Sequence, residues 1–191
     1  FSSYSQGLKF KNPDEYKNAS KLSSPSMGEL PNKIDLSDNF PKPGNQGTQP
    51  SCVGWSVAYG LKSYHEAIET KSSPNNFTKI FSPSYIYNQF APPGCGGGML
   101  IEDALNKLKD EGVSRYVDFP YNEFNCNTKP TGTVKDKAKN FKISDWGYLN
   151  PNDIISIKSQ LNNKFPVIIG MNFGTTFRNL GNNQIYRGES G

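Results

Sequence analysis

The sequence predicts an α+β protein of two packed lobes, on three observations. Apolar residues recur at helical spacing through residues 52–69, 82–90 and 99–112. From about residue 138 the pattern changes to alternating or continuous apolar runs of strand length. The 18 Gly and 14 Pro residues gather in loops, while 10 Tyr and 12 Phe residues can fill a sizeable core. A chain of 191 residues is long enough for one large domain or two small lobes.

Taken in order, residues 1–29 are polar, rich in Ser, Lys and Asn and without a sustained period. They read as an extension or propeptide remnant that wraps or frays rather than as a domain. Residues 30–137 form the mostly helical lobe. It opens on "LPNKIDLS" (30–37), a weakly alternating short strand, and the turn-rich "FPKPG" (40–44). Its first long helix begins near Cys52, with Ser51 as N-cap and Val53, Val57 and Leu61 as one stripe. "SPSYIYNQF" (82–90) is a second helix, capped by Ser82 with Pro83 at its first position. "APPGCGGG" (91–98) is a loop, followed by a helix over 99–112 with Ile101, Ala104, Leu105 and Leu108 as its stripe and Gly112 as its stop. Residues 138–191 form a partial β lobe. Strands are predicted over 138–149, 165–174 and 184–188, with a helix over 150–163 capped by Asn150.

The bulk numbers exclude several function classes. A net charge of +4 comes from scattered Lys and Arg rather than a basic stripe, so it reads as a solvated surface and not a nucleic-acid interface. No apolar run of eighteen residues is present, and no membrane span is expected. No signal peptide is visible, and a chain that opens "FSSYSQGLKF" reads as a mature or trimmed product. No C-x-x-C occurs and the single histidine, His65, lies in a separate helical stretch, so no metal site is expected. Three cysteines partition naturally into one pair and one single thiol. "NAS" at Asn18 and "NFT" at Asn76 match the glycosylation pattern, as short triplets often do by chance.

In "GNQGTQPSCVGWSVAYG" (44–60), Cys52 stands where turn chemistry gives way to helix. On spacing alone two readings stand. A free cysteine is commonly a small buried hydrophobe. A helix start also favours a thiolate, which is the form that attacks a carbonyl. A backbone N–H at that start and the side-chain amide of Gln46 would then hold the resulting oxyanion.

Gln46, with Cys52 six residues on and Trp55 in the following turn, resembles the papain family of cysteine peptidases, its bacterial-type branch in particular. The resemblance extends over residues 30–191 in the family's order. "LPNKIDLSDNFPKPGNQG" is similar to the start of the mature enzyme, and "GCGGGMLIEDAL" to the glycine-rich edge of the substrate groove. "GVSRYVDFPYNEFNC" is similar to the segment after it, and "NKFPVIIGMNF" to a strand of the β lobe. It implies a papain-like two-lobe fold with the helical lobe complete and the β-barrel lobe incomplete. It also implies a cysteine endopeptidase that works through a thioester acyl-enzyme and needs no cofactor. Under this resemblance Cys52 is the nucleophile and Gln46 the oxyanion-hole amide. Gly97 and Gly98 pair with an extended peptide. Met99, Leu100 and Gly170 border the pocket for the side chain two residues before the scissile bond, although core packing accounts for these three equally well.

There are departures. Gln49 stands where plant and animal relatives have a cysteine bound to the glycine loop, and Val53 replaces the usual tryptophan after the nucleophile, a space Trp55 is expected to fill. With Gln49 in that place, the resemblance implies a Cys95–Cys126 bridge, or two reduced thiols in a reducing compartment. A bridge would suit a secreted or extracytoplasmic protein.

The family's histidine follows a glycine-rich stretch such as "RGESG", where this chain stops, and its asparagine comes later. His65 lies thirteen residues beyond Cys52, roughly 20 Å along an ideal helix, against a hydrogen-bond reach of about 3 Å. Three accounts stand: a piece of a cleaved enzyme whose second chain supplies the His and Asn, a portion that ends early, or a non-catalytic peptide-binding relative. A sheet left with a long unpaired edge favours the first two.

Overall fold

The structure, a computed structural model, describes residues 7–22, 28–181 and 184–188. The remainder of the N-terminal extension, residues 182–183 and the end of "RGESG" (189–191) lie outside the described residues. A short helix α1 (Pro13–Asn18) begins at Asn12, whose side chain accepts from the Asp14 N–H at 2.9 Å. It lies in the extension that the sequence marks as polar and aperiodic. Residues 30–37, read as a short strand, carry no ladder and run into a 3-10 turn at Ser37–Asn39.

The central helical run covers α2 (Cys52–Gly54), a π-helical segment (Trp55–Lys62) and α3 (Ser63–Thr70). The predicted stripe Val53, Val57, Leu61 faces the core, the first two buried and Leu61 half-buried against it. Residues are bonded i→i+5 through the π segment, so one more residue enters the turn and the buried face widens by one position. Lys62 is therefore enclosed as well, at 3 % exposure. Its ammonium lies 3.8 Å from Glu66 and 3.7 Å from Glu69, over the ring of Phe81. Arg115 pairs with the same Glu66 and stacks on Phe81 and Phe141. The enclosed charge is thus neutralised within one cluster.

Helix α4 (Pro83–Phe90) starts as its sequence requires, with the Ser82 hydroxyl accepting from Tyr85 N–H at 3.0 Å and Pro83 at the first turn. Helix α5 (Ile101–Asp110) is shorter than the predicted 99–112. Leu100 occupies its N-cap, and Gly112 ends the segment at φ +82°. Ala104, Leu105 and Leu108 bury the predicted face. Against it pack Val53, Val57, Ala58, Phe81, Tyr85, Ile86 and Tyr87, giving one core under the helical lobe.

The second half departs further from its pattern. Residues 132–138 form helix α6 (Gly132–Ala138), capped by Thr131, and the predicted strand over 138–149 is an irregular segment whose Phe141, Ile143 and Trp146 lean on the core. Helix α7 (Ile154–Asn162) begins four residues after Asn150. Asp153 caps it from Ser156 N–H at 3.0 Å, while Asn150 closes the preceding turn. Residues 165–174 and 184–188 carry no ladder, and helix α8 (Thr175–Arg178) lies between them. Among the described residues β pairing is confined to three isolated bridges: Leu8 with Met99, Lys21 with Tyr148, and Phe81 with Arg115. The reason is physical. A strand exists only with a neighbour to take its N–H and C=O groups, and no described segment lies beside 165–174 to do so.

Candidate active site

Cys52 is the first residue of the helical run, half-buried against the core, and carries a free thiol. Ser51 occupies the N-cap position, but its hydroxyl does not cap the helix: it is 2.7 Å from the Tyr121 hydroxyl. The loop before the thiol is folded on itself. The Gln46 side-chain amide donates to the Gln49 carbonyl at 3.0 Å, and Ser51 N–H donates to the same oxygen at 2.8 Å.

Segment 121–123 holds this loop from outside. The Tyr121 hydroxyl donates to the Gln46 carbonyl at 2.8 Å. The Gln49 amide donates to the carbonyls of Asn122 and Glu123, each at 3.3 Å. The Glu123 carboxylate accepts from Thr48 N–H at 3.0 Å. Gly47 is needed here on two counts: φ is +60°, and a Cβ would stand 1.7 Å from a Glu123 carboxylate oxygen. Trp55 closes the other side, 4.9 Å from the Tyr121 ring and 4.7 Å from Tyr59.

Cys95 and Cys126 are bonded, with Cα atoms 5.5 Å apart. The Tyr87 hydroxyl reaches the carbonyls of Cys95 and Gly97, each at 2.8 Å. Burial, and then the neighbouring Tyr121 and Cys52, push the Tyr87 hydroxyl up to about 12, so it remains a donor across the whole working range.

The chain's own N-terminal segment pairs with Met99, just after the glycine loop. Met99 N–H donates to the Gly7 carbonyl at 2.9 Å, and Lys9 N–H donates to the Met99 carbonyl at 3.0 Å, in parallel register. Gly98 admits this approach, since a Cβ there would stand 2.3 Å from the Gly7 oxygen. Leu8 then lies against Gly170, Ile101 and the core side of Met99. Leu100 is half-buried at the head of α5. The segment continues to Tyr148, where Leu22 N–H donates to the Tyr148 carbonyl at 2.7 Å and Tyr16 donates to Leu149. Met99 and Gly170 thus both meet Leu8, Gly98 meets Gly7, and Gln46 lies in the folded loop that leads to Cys52. What sequence reasoning missed is the pair of tyrosines, Tyr87 and Tyr121, that fastens the glycine loop and the loop before Cys52. The Pro120-Tyr121 pair was the one signal for them.

His65 is elsewhere, between the rings of Tyr64 and Phe165 and the charges of Lys62 and Glu69. Among the described residues no three His, Cys, Asp or Glu side chains come together as a metal site requires. No described helix is long and apolar enough to cross a membrane. A cavity of about 540 Å³ opens beside segment 118–125, bounded by Asn45, Asn88 and Phe124 rather than by Cys52.

At the level of sequence, no protein-family model and no curated protein matches the chain. Solved structures do. The chain is similar to xylellain, a cysteine protease from Xylella fastidiosa, at 23% identity and a TM-score of 0.65, over 84% of this chain and 63% of that one. It is similar to a structure from work on the mite allergens Blo t 1 and Der p 1, at 17% identity and a TM-score of 0.54, over 79% and 50% of the two chains. It is also similar to procathepsin B S9 from Trypanosoma congolense, at 13% identity and a TM-score of 0.55, over 82% and 57%. The fold is papain-like. The chain spans less than two thirds of the length of each of these three proteins.

Proposed function

We propose that the chain is the nucleophile-bearing part of a papain-like cysteine endopeptidase. Residues 30–137 would supply the nucleophile lobe, residues 138–191 part of the β lobe, and residues 1–29 a polar N-terminal extension or propeptide remnant. The observation that carries this is Cys52, a free thiol opening a helical run in a papain-like fold, preceded by a loop closed through Gln46. In the proposed reaction the Cys52 sulfur bonds to the scissile carbonyl carbon and the carbonyl oxygen takes the electron pair. Gln46 and the Cys52 backbone N–H stabilise that oxygen. The amine leaves with the thiol's proton, and water then hydrolyses the thioester. The proton carrier is a histidine, with an asparagine to orient it, brought by a segment or second chain beyond these residues. The substrate is an extended peptide lying along Gly97, Gly98 and Met99, with its pocket at Met99, Leu100 and Gly170. The pairing of residues 7–9 with Met99 supports such a backbone contact. The Cys95–Cys126 bridge supports an oxidising, extracytoplasmic setting.

A second reading is favoured by one observation: the sequence's single histidine is committed to Phe165 and Lys62, away from the thiol. On that reading the groove binds peptides without cleaving them. The test is twofold. Brief iodoacetamide treatment of the oxidised chain at pH 6–7, followed by peptide mapping, should label Cys52 and leave Cys95 and Cys126 unlabelled. Residues 1–191 should not turn over peptides, because general acid–base help worth about 10²–10⁴-fold is missing. A version extended through the histidine and asparagine should turn them over, and Cys52→Ala should abolish that activity. Cys52-dependent turnover by residues 1–191 would defeat the two-part account. An inert extended protein that still binds peptides would establish the binding module.

A further inference from the structure

We propose that Tyr121 is a positioning residue for the oxyanion hole, a role that rests on the peptidase reading of Cys52. Its hydroxyl is the junction of a directed chain of hydrogen bonds. With one proton, Tyr121 donates to the Gln46 carbonyl at 2.8 Å. The short contact to Ser51 at 2.7 Å must then run from the Ser51 hydroxyl to the Tyr121 oxygen. One phenol thus ties the backbone of the residue that carries the oxyanion amide to the residue just before the nucleophile. On the peptidase reading the oxyanion's donors are the Gln46 amide and the Cys52 backbone N–H, so the spacing of residue 46 and the helix start sets whether both reach it. Hydrogen-bond donors contribute to such a hole only when held in place beforehand.

The surroundings explain why a tyrosine is needed here. No disulfide anchors the loop at Gln49, and segment 121–123 braces it instead, through Tyr121, the two carbonyls that accept from Gln49 and the Glu123 carboxylate. That same segment runs into Cys126, bonded to Cys95 on the glycine loop. Tyr121 is therefore the point at which the brace meets the reacting geometry, and its T-shaped packing on Trp55 fixes the ring. Removing the hydroxyl takes away its bond to the Gln46 carbonyl and leaves the ring in its place.

The experiment uses the full chain and an N-acetylated leucyl-glycine aldehyde labelled with ¹³C at the aldehyde carbon. The Cys52 sulfur adds to that carbon, the C=O π bond breaks, and the oxygen takes up the thiol's proton as a hemithioacetal forms. The adduct carbon resonance reports an oxygen seated in the hole, whereas iodoacetamide alkylation of the same thiol develops no oxyanion. Tyr121→Phe should weaken the aldehyde adduct about tenfold, the worth of one lost hydrogen bond, and leave the alkylation rate and its pH profile unchanged. Ser51→Ala keeps the Tyr121–Gln46 bond and should weaken the adduct less than threefold. The N-terminal segment competes equally in parent and variants. An unchanged adduct in Tyr121→Phe overturns the positioning role, as does an equal loss in both reactions. If the aldehyde binds a Cys52→Ala variant as tightly as the parent, the peptidase reading itself falls.

Discussion

His65 lies between Tyr64 and Phe165, and its ionisation is set by that enclosure. Burial, aided by the Lys62 charge and opposed by Glu69, holds its pKa below the ordinary 6.5. The unfolded chain therefore takes up the proton first as pH falls. The contribution is present above the unfolded value and is lost as pH drops through about 6.5 toward the folded value. Urea midpoints measured from pH 7.5 to 5 should fall more steeply for the parent than for His65→Gln, and parallel curves would remove His65 as the cause. At this scale the sequence was informative about the thiols: three cysteines read as one pair and one single thiol, and the structure bonds Cys95 to Cys126 and leaves Cys52 free. Tyr87 and Tyr121 were illegible because their roles lie in hydroxyl-to-carbonyl bonds across 8 to 75 residues, which spacing does not encode.

Between residue and molecule, the π segment and the missing ladders are where pattern and structure part. The i→i+5 winding widens the buried face by one position, so Lys62 is enclosed beside the half-buried Leu61. That enclosure is tolerable because Glu66 is shared between Lys62 and Arg115, with the Glu66 and Arg115 side chains only 8% and 13% exposed. Arg115→Ala should cost roughly 3 kcal/mol, because it leaves a buried carboxylate short of its main partner and strips the packing on Phe81 and Phe141. Chemical denaturation measures this directly, and a loss below 1 kcal/mol would show that Lys62 suffices. Helices α4 and α5 were readable because a capped helix satisfies its own backbone. The strands over 165–174 and 184–188 were not, since alternation states which face is apolar and says nothing about whether a neighbour is there. Ile169 and Ile185 are accordingly 73% and 74% exposed.

Across the whole molecule the N-terminal segment is the connection that ties the glycine loop to the region of Tyr148 and Gly170. Leu8 is its anchor in the groove, and burying a leucine side chain is worth about 1.5–3 kcal/mol. Leu8→Glu in the full chain should therefore raise the labelling rate of Cys52 by a peptidyl chloromethyl ketone on the order of tenfold. The iodoacetamide rate should change little. No change in either rate would mean that the segment does not limit access. The path of residues 7–22 was not legible, because a polar segment paired through its backbone leaves no periodic trace.

The bond between Cys95 and Cys126 also makes a covalent ring that encloses the glycine loop, α5 and the Pro120-Tyr121 segment. A peptide bond cut anywhere inside that ring opens it without dividing the molecule: the mass rises by one water, and two fragments part only after a reductant is added. The segments on either side of such a nick stay tethered, so the fold around the bridge outlasts the first cut.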